Sequence, residues 1–161
     1  MSTNIHGHAQ VHTDAQPTAP QEDLDPPRKR PRRVLIAAAD RQRRAHVAGA
    51  LREAGFEVTI ARTGREAVAR ALLAFPDWPS ELFTEGEFID CILIDPQMPD
   101  LAGGEVVRHL RQHGCDRPIL AMVDSVGADE ASRCRQLGFD RPLLATARPQ
   151  DLVASVREYL W

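Results

Sequence analysis

The sequence predicts a doubly wound α/β fold, a parallel sheet with helices on both faces. Three observations carry this. After residue 33, short apolar runs alternate five times with stretches of helical period. Gly, Pro or Asp stands at most points where a helix must start or stop. The chain is 161 residues long, which suits one domain, or one domain plus a tail.

The elements follow in order. Val34-Leu35-Ile36-Ala37-Ala38 reads as a short buried strand. Asp40 is placed to cap a helix carrying Val47, Ala48, Leu51 and Ala54 on one face, and Gly55 stops it. Glu57-Val58-Thr59-Ile60-Ala61 is a second strand, and Gly64 precedes a helix with Ala67, Val68, Ala71 and Leu72. A third strand over 89–94 is apolar but for Asp90 and ends at Asp95. Gly103 or Gly104 opens a helix with Val106, Val107 and Leu110. Residues 118–123 form a fourth strand, and 129–137 a helix stopped by Gly138. Leu143-Leu144 mark a short fifth strand. Pro149 suits the first position of a last helix, which turns Leu152, Val153, Val156 and Leu160 inward.

Two segments stand apart. Residues 1–33 hold five of the twelve prolines and no aromatic residue. Such a stretch cannot bury enough surface to offset its ordering entropy, so it is expected to be a disordered tail. It ends in the basic run Arg28-Lys29-Arg30-Pro31-Arg32-Arg33. With five basic and four acidic residues the tail is net +1, and the remainder, with 15 and 19, is net −4. The run reads as a solvated linker, the alternatives being contact with nucleic acid, a membrane surface or an acidic partner. Residues 75–88, FPDWPSELFTEGEF, form an insertion that is long for a connection between helix and strand. It holds Phe75, Trp78, Phe83 and Phe88, half of the eight aromatics, which either pack back on the body or offer a partner surface.

Composition excludes several classes. No apolar run approaches the roughly 20 residues that span a bilayer. The N-terminus lacks the pattern of a secretory signal, so a cytoplasmic protein is expected. The net charge of −3 argues against bulk binding of nucleic acid. Three cysteines, Cys91, Cys115 and Cys134, match no zinc spacing and suit free thiols. His6, His8 and His12 lie in the tail and offer no defined metal geometry. There is no GxGxxG, P-loop, GxSxG or HExxH.

In a doubly wound sheet the site lies beyond the carboxyl ends of the central strands. Asp40, Asp95 and Asp124 are the acids placed to reach it. Asp95 is the most telling, since Cys91-Ile92-Leu93-Ile94 delivers it to the sheet edge and Pro96-Gln97-Met98-Pro99-Asp100 follows. With Val34-Leu35-Ile36, Gly55-Phe56-Glu57-Val58, Gly64-Arg65-Glu66-Ala67-Val68, Gly103, Glu105, Pro118-Ile119-Leu120-Ala121, Cys134 and Gly138-Phe139-Asp140, this combination resembles the receiver domains of bacterial response regulators. It is most similar to the receivers of hybrid histidine kinases. The resemblance covers 34–161 and implies a flavodoxin-like, CheY-like sheet of order 2-1-3-4-5.

The resemblance also implies a chemistry. Family members hold Mg²⁺ with two acids after the first strand and accept a phosphoryl group on the aspartate after the third. A hydroxyl after the fourth strand and a lysine after the fifth bind the phosphoryl oxygens. Here Asp95 matches the phosphoacceptor, while Ala38 and Ala39 replace the acid pair, Val123 the hydroxyl and Ala145 the lysine. Thr146 follows in place of proline, and Pro142 stands at the aromatic switch position, so that Val123 and Pro142 are the switch equivalents. Removing one preorganised electrostatic group costs about 10²–10³ in rate, so losing several leaves little catalysis. Asp40 and Asp124 lie one residue past the acid pair and the hydroxyl position. Either would have to swing inward to keep a weak cation site. An aspartyl-nucleophile phosphatase would want an acid at Gln97.

The expected function is therefore that of an atypical single-domain response regulator, a pseudo-receiver. It is expected to act in two-component or phosphorelay signalling by protein–protein contact, without enzymatic activity, metal or cofactor. Its expected partner is a histidine kinase, phosphotransferase or regulator. The alternatives are a phosphorylatable receiver using Asp95 and a small-molecule-binding flavodoxin-like module. With the last helix ending at Trp161, no output domain is expected to follow. The expected contact face joins the fourth helix, fifth strand and last helix, with Arg133, Arg141, Arg148 and Arg157 beside Asp129, Glu130, Asp140 and Asp151, and it suits a homodimer. The Ala145–Thr146 bond is expected to be trans, because a cis bond without proline costs about 2.5–4 kcal/mol.

Overall fold

A computed structural model describes residues 30–74 and 88–160. Most of the expected tail and insertion, with the tail histidines and Phe75, Trp78 and Phe83, lies outside the described residues. Five strands and five helices alternate among them: β1 (Arg33–Ala37), α1 (Arg41–Glu53), β2 (Glu57–Ala61), α2 (Gly64–Leu73), β3 (Cys91–Ile94), α3 (Gly103–Gln112), β4 (Ile119–Val123), α4 (Ala128–Gln136), β5 (Arg141–Leu144) and α5 (Pro149–Arg157). The strands are all parallel, in the order β2-β1-β3-β4-β5. This is the expected doubly wound sheet.

Side-chain alternation along the strands builds two cores. Val34, Ile36, Cys91, Leu93, Leu120 and Met122 face one way, against Val47 and Leu51 of α1 and Leu152 and Val156 of α5. Leu35, Ala37, Ile92, Ile94, Ile119 and Ala121 face the other way, against Ala67 and Ala71 of α2, Val106 and Leu110 of α3 and Cys134 of α4. β3 and β4 are buried along their whole length, which is why they read as unbroken apolar runs.

Local chemistry sets the ends of the helices. The Asp40 carboxylate accepts the Arg43 N–H at 2.7 Å and caps α1, as expected. Thr63 Oγ1 caps α2 by accepting the Glu66 N–H, and Gly64 is the first helical residue rather than a residue preceding the helix. Gly55 and Gly138 follow α1 and α4 with positive φ, so the expected stops have the left-handed backbone that a C-terminal cap needs. Ala54 and Leu160 are only half-buried and pack at the margin of the core.

β5 is longer than Leu143-Leu144, because Arg141 and Pro142 join the ladder without an apolar signal. Pro142 has no N–H to donate and sits opposite Ala121 on this edge strand. The Asp140 N–H donates to Ile119 C=O, and the Ala145 N–H to Val123 C=O. Residues 141–144 pair with 120–123 one to one, and because the odd-numbered residues of β5 donate toward β4, the missing N–H of Pro142 falls on the open edge.

The described part of the basic run departs from the expectation of a solvated linker. Arg30 donates to both oxygens of Asp90, each at 2.9 Å, and the Arg33 N–H donates to Oδ2 at 2.9 Å. Arg32 reaches Oδ1 at 3.4 Å, and Arg33 pairs with Glu57. Arg30 also lies 5.7 Å from the centre of the Phe88 ring. The physical reason is Asp90, a carboxylate only 2% exposed and needing neutralisation. Burial alone would raise its pKa, but the Arg33 N–H, Arg30 and Arg32 together hold it below the usual carboxylate range.

Candidate functional site

β3 is buried on both faces and drives Asp95 to the carboxyl edge of the sheet, where its N–H donates to Ala37 C=O at 2.8 Å. Asp95 is 8% exposed. Its Oδ1 accepts the Gln97 N–H at 2.9 Å, an Asx-type turn that fixes the rotamer. The loop behind it is braced twice. The backbone at Gly103 lies so close that a Cβ there would stand 2.7 Å from the Asp95 carbonyl oxygen and from Pro96 Cα. Asp100 accepts the Gly64 and Arg65 N–H groups at 2.8 and 3.0 Å, tying the loop to the N-terminus of α2.

Asp95 opens onto a cleft lined by both charged and apolar groups. Ala38 is fully buried, Ala145 2% exposed and Val123 6% exposed, while Ala39 is exposed at the rim. Asp95, Ala39 and Val123 line this cleft of about 1040 Å³, which runs between α3 and α4, and Arg108 and Arg133 flank its far part. No cis peptide bond occurs among the described residues, so the Ala145–Thr146 bond is trans, as expected.

Arg43 is the residue that sequence reasoning missed. Its Nη1 donates to Asp95 Oδ2 and to Met122 C=O, each at 3.3 Å, and its Nη2 pairs with Asp124. One guanidinium thus joins α1 to the ends of β3 and β4. Arg44 beside it donates to the Ala38 and Ala39 carbonyls at 2.7 Å each. A signal was present in the sequence. The first turn of α1 holds Arg41, Arg43 and Arg44 and no acid, against the preference of a helix N-terminus for negative charge.

Asp124 therefore pairs with an arginine, and Asp40 is spent on capping α1. Both still act on Asp95 through their charge. Burial pushes the Asp95 pKa up, the Gln97 N–H and Arg43 pull it down, and Asp124 and Asp40 push it up again. The result lies above the usual carboxylate range.

The expected contact arginines are all exposed, but they differ in engagement. Arg141 pairs with Glu158 at 3.2 Å and lies over the Tyr159 ring, and Arg148 pairs with Asp151 at 2.9 Å. Arg133 lines the cleft beside α3. Asp140 accepts from Arg111 and from the Ile119 N–H. The three thiols are free and buried, and burial pushes Cys91 up to about 12.

A family model for the response regulator receiver domain matches residues 34–157. The chain belongs to that family. Receivers are signalling modules of two-component systems. The response regulator MprA of Mycolicibacterium vanbaalenii is 37% identical over 98 residues, 60% of this chain and 37% of that protein. Hybrid signal transduction histidine kinase I of Dictyostelium discoideum is 31% identical over 96 residues, 57% of this chain and 5% of that protein. The match thus spans well under half of either relative. Among solved structures, chemotaxis response regulator CheY4 of Vibrio cholerae superposes with a TM-score of 0.67 at 26% identity, covering 81% of this chain and 99% of that one.

Receivers imply a divalent cation, and the residues here do not fit one. Methyl groups stand at the two positions that the resemblance gives to the metal-binding acids. Asp40 faces the α1 backbone, and Asp95 and Asp124 face Arg43. Among the described residues no three His, Cys, Asp or Glu side chains form a metal-binding group. No described helix is long and apolar enough to cross a membrane.

Proposed function

We propose that this chain is a pseudo-receiver: a cytoplasmic, non-enzymatic module of two-component or phosphorelay signalling that acts by protein–protein contact without phosphorylation. The single observation behind this is the setting of Asp95. Phosphoryl transfer needs positive charge and donors around the acceptor. Arg43, which Asp124 shares, pairs with Asp95, and Ala38, Ala39, Val123 and Ala145 stand at the positions where the family places acids, a hydroxyl and a lysine. The receiver body then spans 34–161 together with Arg30–Arg33, which β1 and Asp90 hold, with the residues before Arg30 as a tail and 75–88 as an insertion. The partner is a histidine kinase, a phosphotransferase, a regulator or a second copy of this chain, and the contact is constitutive. Val123 and Pro142 give a phosphoryl group no lever with which to shift the outer face.

Intact mass after incubation with acetyl phosphate and Mg²⁺ tests this. No phosphoryl adduct is expected. Stoichiometric labelling that disappears in Asp95→Ala would establish the phosphorylatable alternative instead.

A further inference from the structure

We propose that Arg43 is the resident cation of this site, filling the role that the family gives to a divalent metal, and that it fastens the loop after β4 to Asp95 in one fixed arrangement. The proposal rests on the pseudo-receiver reading of the same site and names the group that makes it permanent.

The geometry carries it. The guanidinium touches the carboxylate after β3, the last-but-one carbonyl of β4 and the carboxylate just beyond β4. A diffusible cation would have to satisfy the same oxygens. Arg43 does so from α1, whose start is itself fixed by Asp40 on the Arg43 N–H. The arginine side chain is 20% exposed, so it is largely withdrawn from water and rests on few rotamers. A planar guanidinium suits this task, because its separate N–H groups can serve three acceptors at once. The site needs such a charge. Asp95 is buried, with Asp124 and Asp40 adding like charge, and the places where a metal would find further oxygens carry methyl groups. A tethered cation cannot be removed by chelation and does not depend on phosphate for its affinity. The loop over 124–127 is therefore held whether or not a kinase has acted.

The test compares the full chain with Arg43→Gln and Arg43→Lys, following backbone amides by NMR. Mn²⁺ is the probe. Its paramagnetic broadening of the Asp95, Gln97, Asp124 and Ser125 amides is expected to be absent in the wild type and in Arg43→Lys. In Arg43→Gln it is expected to appear at millimolar Mn²⁺, since Asp95 and Asp124 have lost their counter-charge. Amide exchange over 124–127 is expected to accelerate about tenfold or more in Arg43→Gln. Equal Mn²⁺ responses in the wild type and Arg43→Gln, whether both broadened or both silent, overturn the proposal. If Arg43→Gln does not fold, Asp124→Asn decides. Faster exchange over 124–127 supports the clamp, and unchanged exchange overturns it. Acetyl-phosphate labelling of the wild type with the Mn²⁺ difference intact would sink the pseudo-receiver reading alone. An unlabelled wild type with equal Mn²⁺ responses would sink the role of Arg43 alone.

Discussion

Asp90→Asn is expected to destabilise the fold by about 1.5–3 kcal/mol, the usual worth of hydrogen bonds to a charged group. Asn is nearly isosteric and can still accept the Arg33 N–H. It brings an amide N–H₂ against the donors of Arg30 and removes the charge. Breaking a fully buried ion pair would cost about 3–5 kcal/mol. The side chains of Arg30 and Arg32 are 40% and 34% exposed, so both guanidiniums return to water rather than being stranded. That places the expected loss below the buried-pair range but above the ~0–1 kcal/mol of a surface pair, because the carboxylate side is 1% exposed. For a domain of this size the loss corresponds to a fall in Tm of roughly 5–10 °C. Thermal and urea unfolding at neutral and acid pH make the assay. The folded pKa of Asp90 is depressed below its unfolded value of about 3.9, so its contribution is complete above that pH. It is lost as pH falls through the folded value, and the gap between wild type and variant should close in acid. A neutral-pH loss under about 1 kcal/mol, or a gap that persists at low pH, would refute the claim that Asp90 anchors the basic run.

Gly103→Ala should cost about 1–3 kcal/mol by overpacking, because its Cβ meets the backbone at Asp95 and Pro96. Gly104→Ala meets only the Leu137 side chain and should lose less, so equal urea midpoints for the two variants would contradict the close approach at Asp95. Asp100→Ala should lower Tm at neutral pH by freeing the Gly64 and Arg65 N–H groups. Those two bonds hold the Asp100 carboxyl below its ordinary range, so the difference should vanish as pH falls through that lowered value. An unchanged Tm at pH 7 would count against that brace. Arg141→Glu should abolish any self-association across the α4–β5–α5 face, by placing like charge beside Glu158. Unchanged mass in sedimentation would rule that face out, and a beryllofluoride-dependent mass would contradict constitutive contact.

The fold was legible because it is written in local signals. Buried parallel strands read as apolar runs, Asp40 and Gly55 bracket α1, and Pro149 opens α5. The edge strand β5 was half legible, since Arg141 and Pro142 carry no hydrophobic pattern and only pairing with β4 reveals them. For the site, the sequence determined which groups are present: one aspartate at the sheet edge, with alanine and valine where the family places acids and a hydroxyl. It did not determine what answers the charge of that aspartate. Arg43 lies 52 residues from Asp95 and Arg30 lies 60 from Asp90, and no periodicity links such positions. Charge pairing acts through space. Which arginine meets which carboxylate is decided only when the strands register and α1 docks on the face of the sheet, because burial then makes neutralising those two carboxylates worth more than leaving the arginines in water.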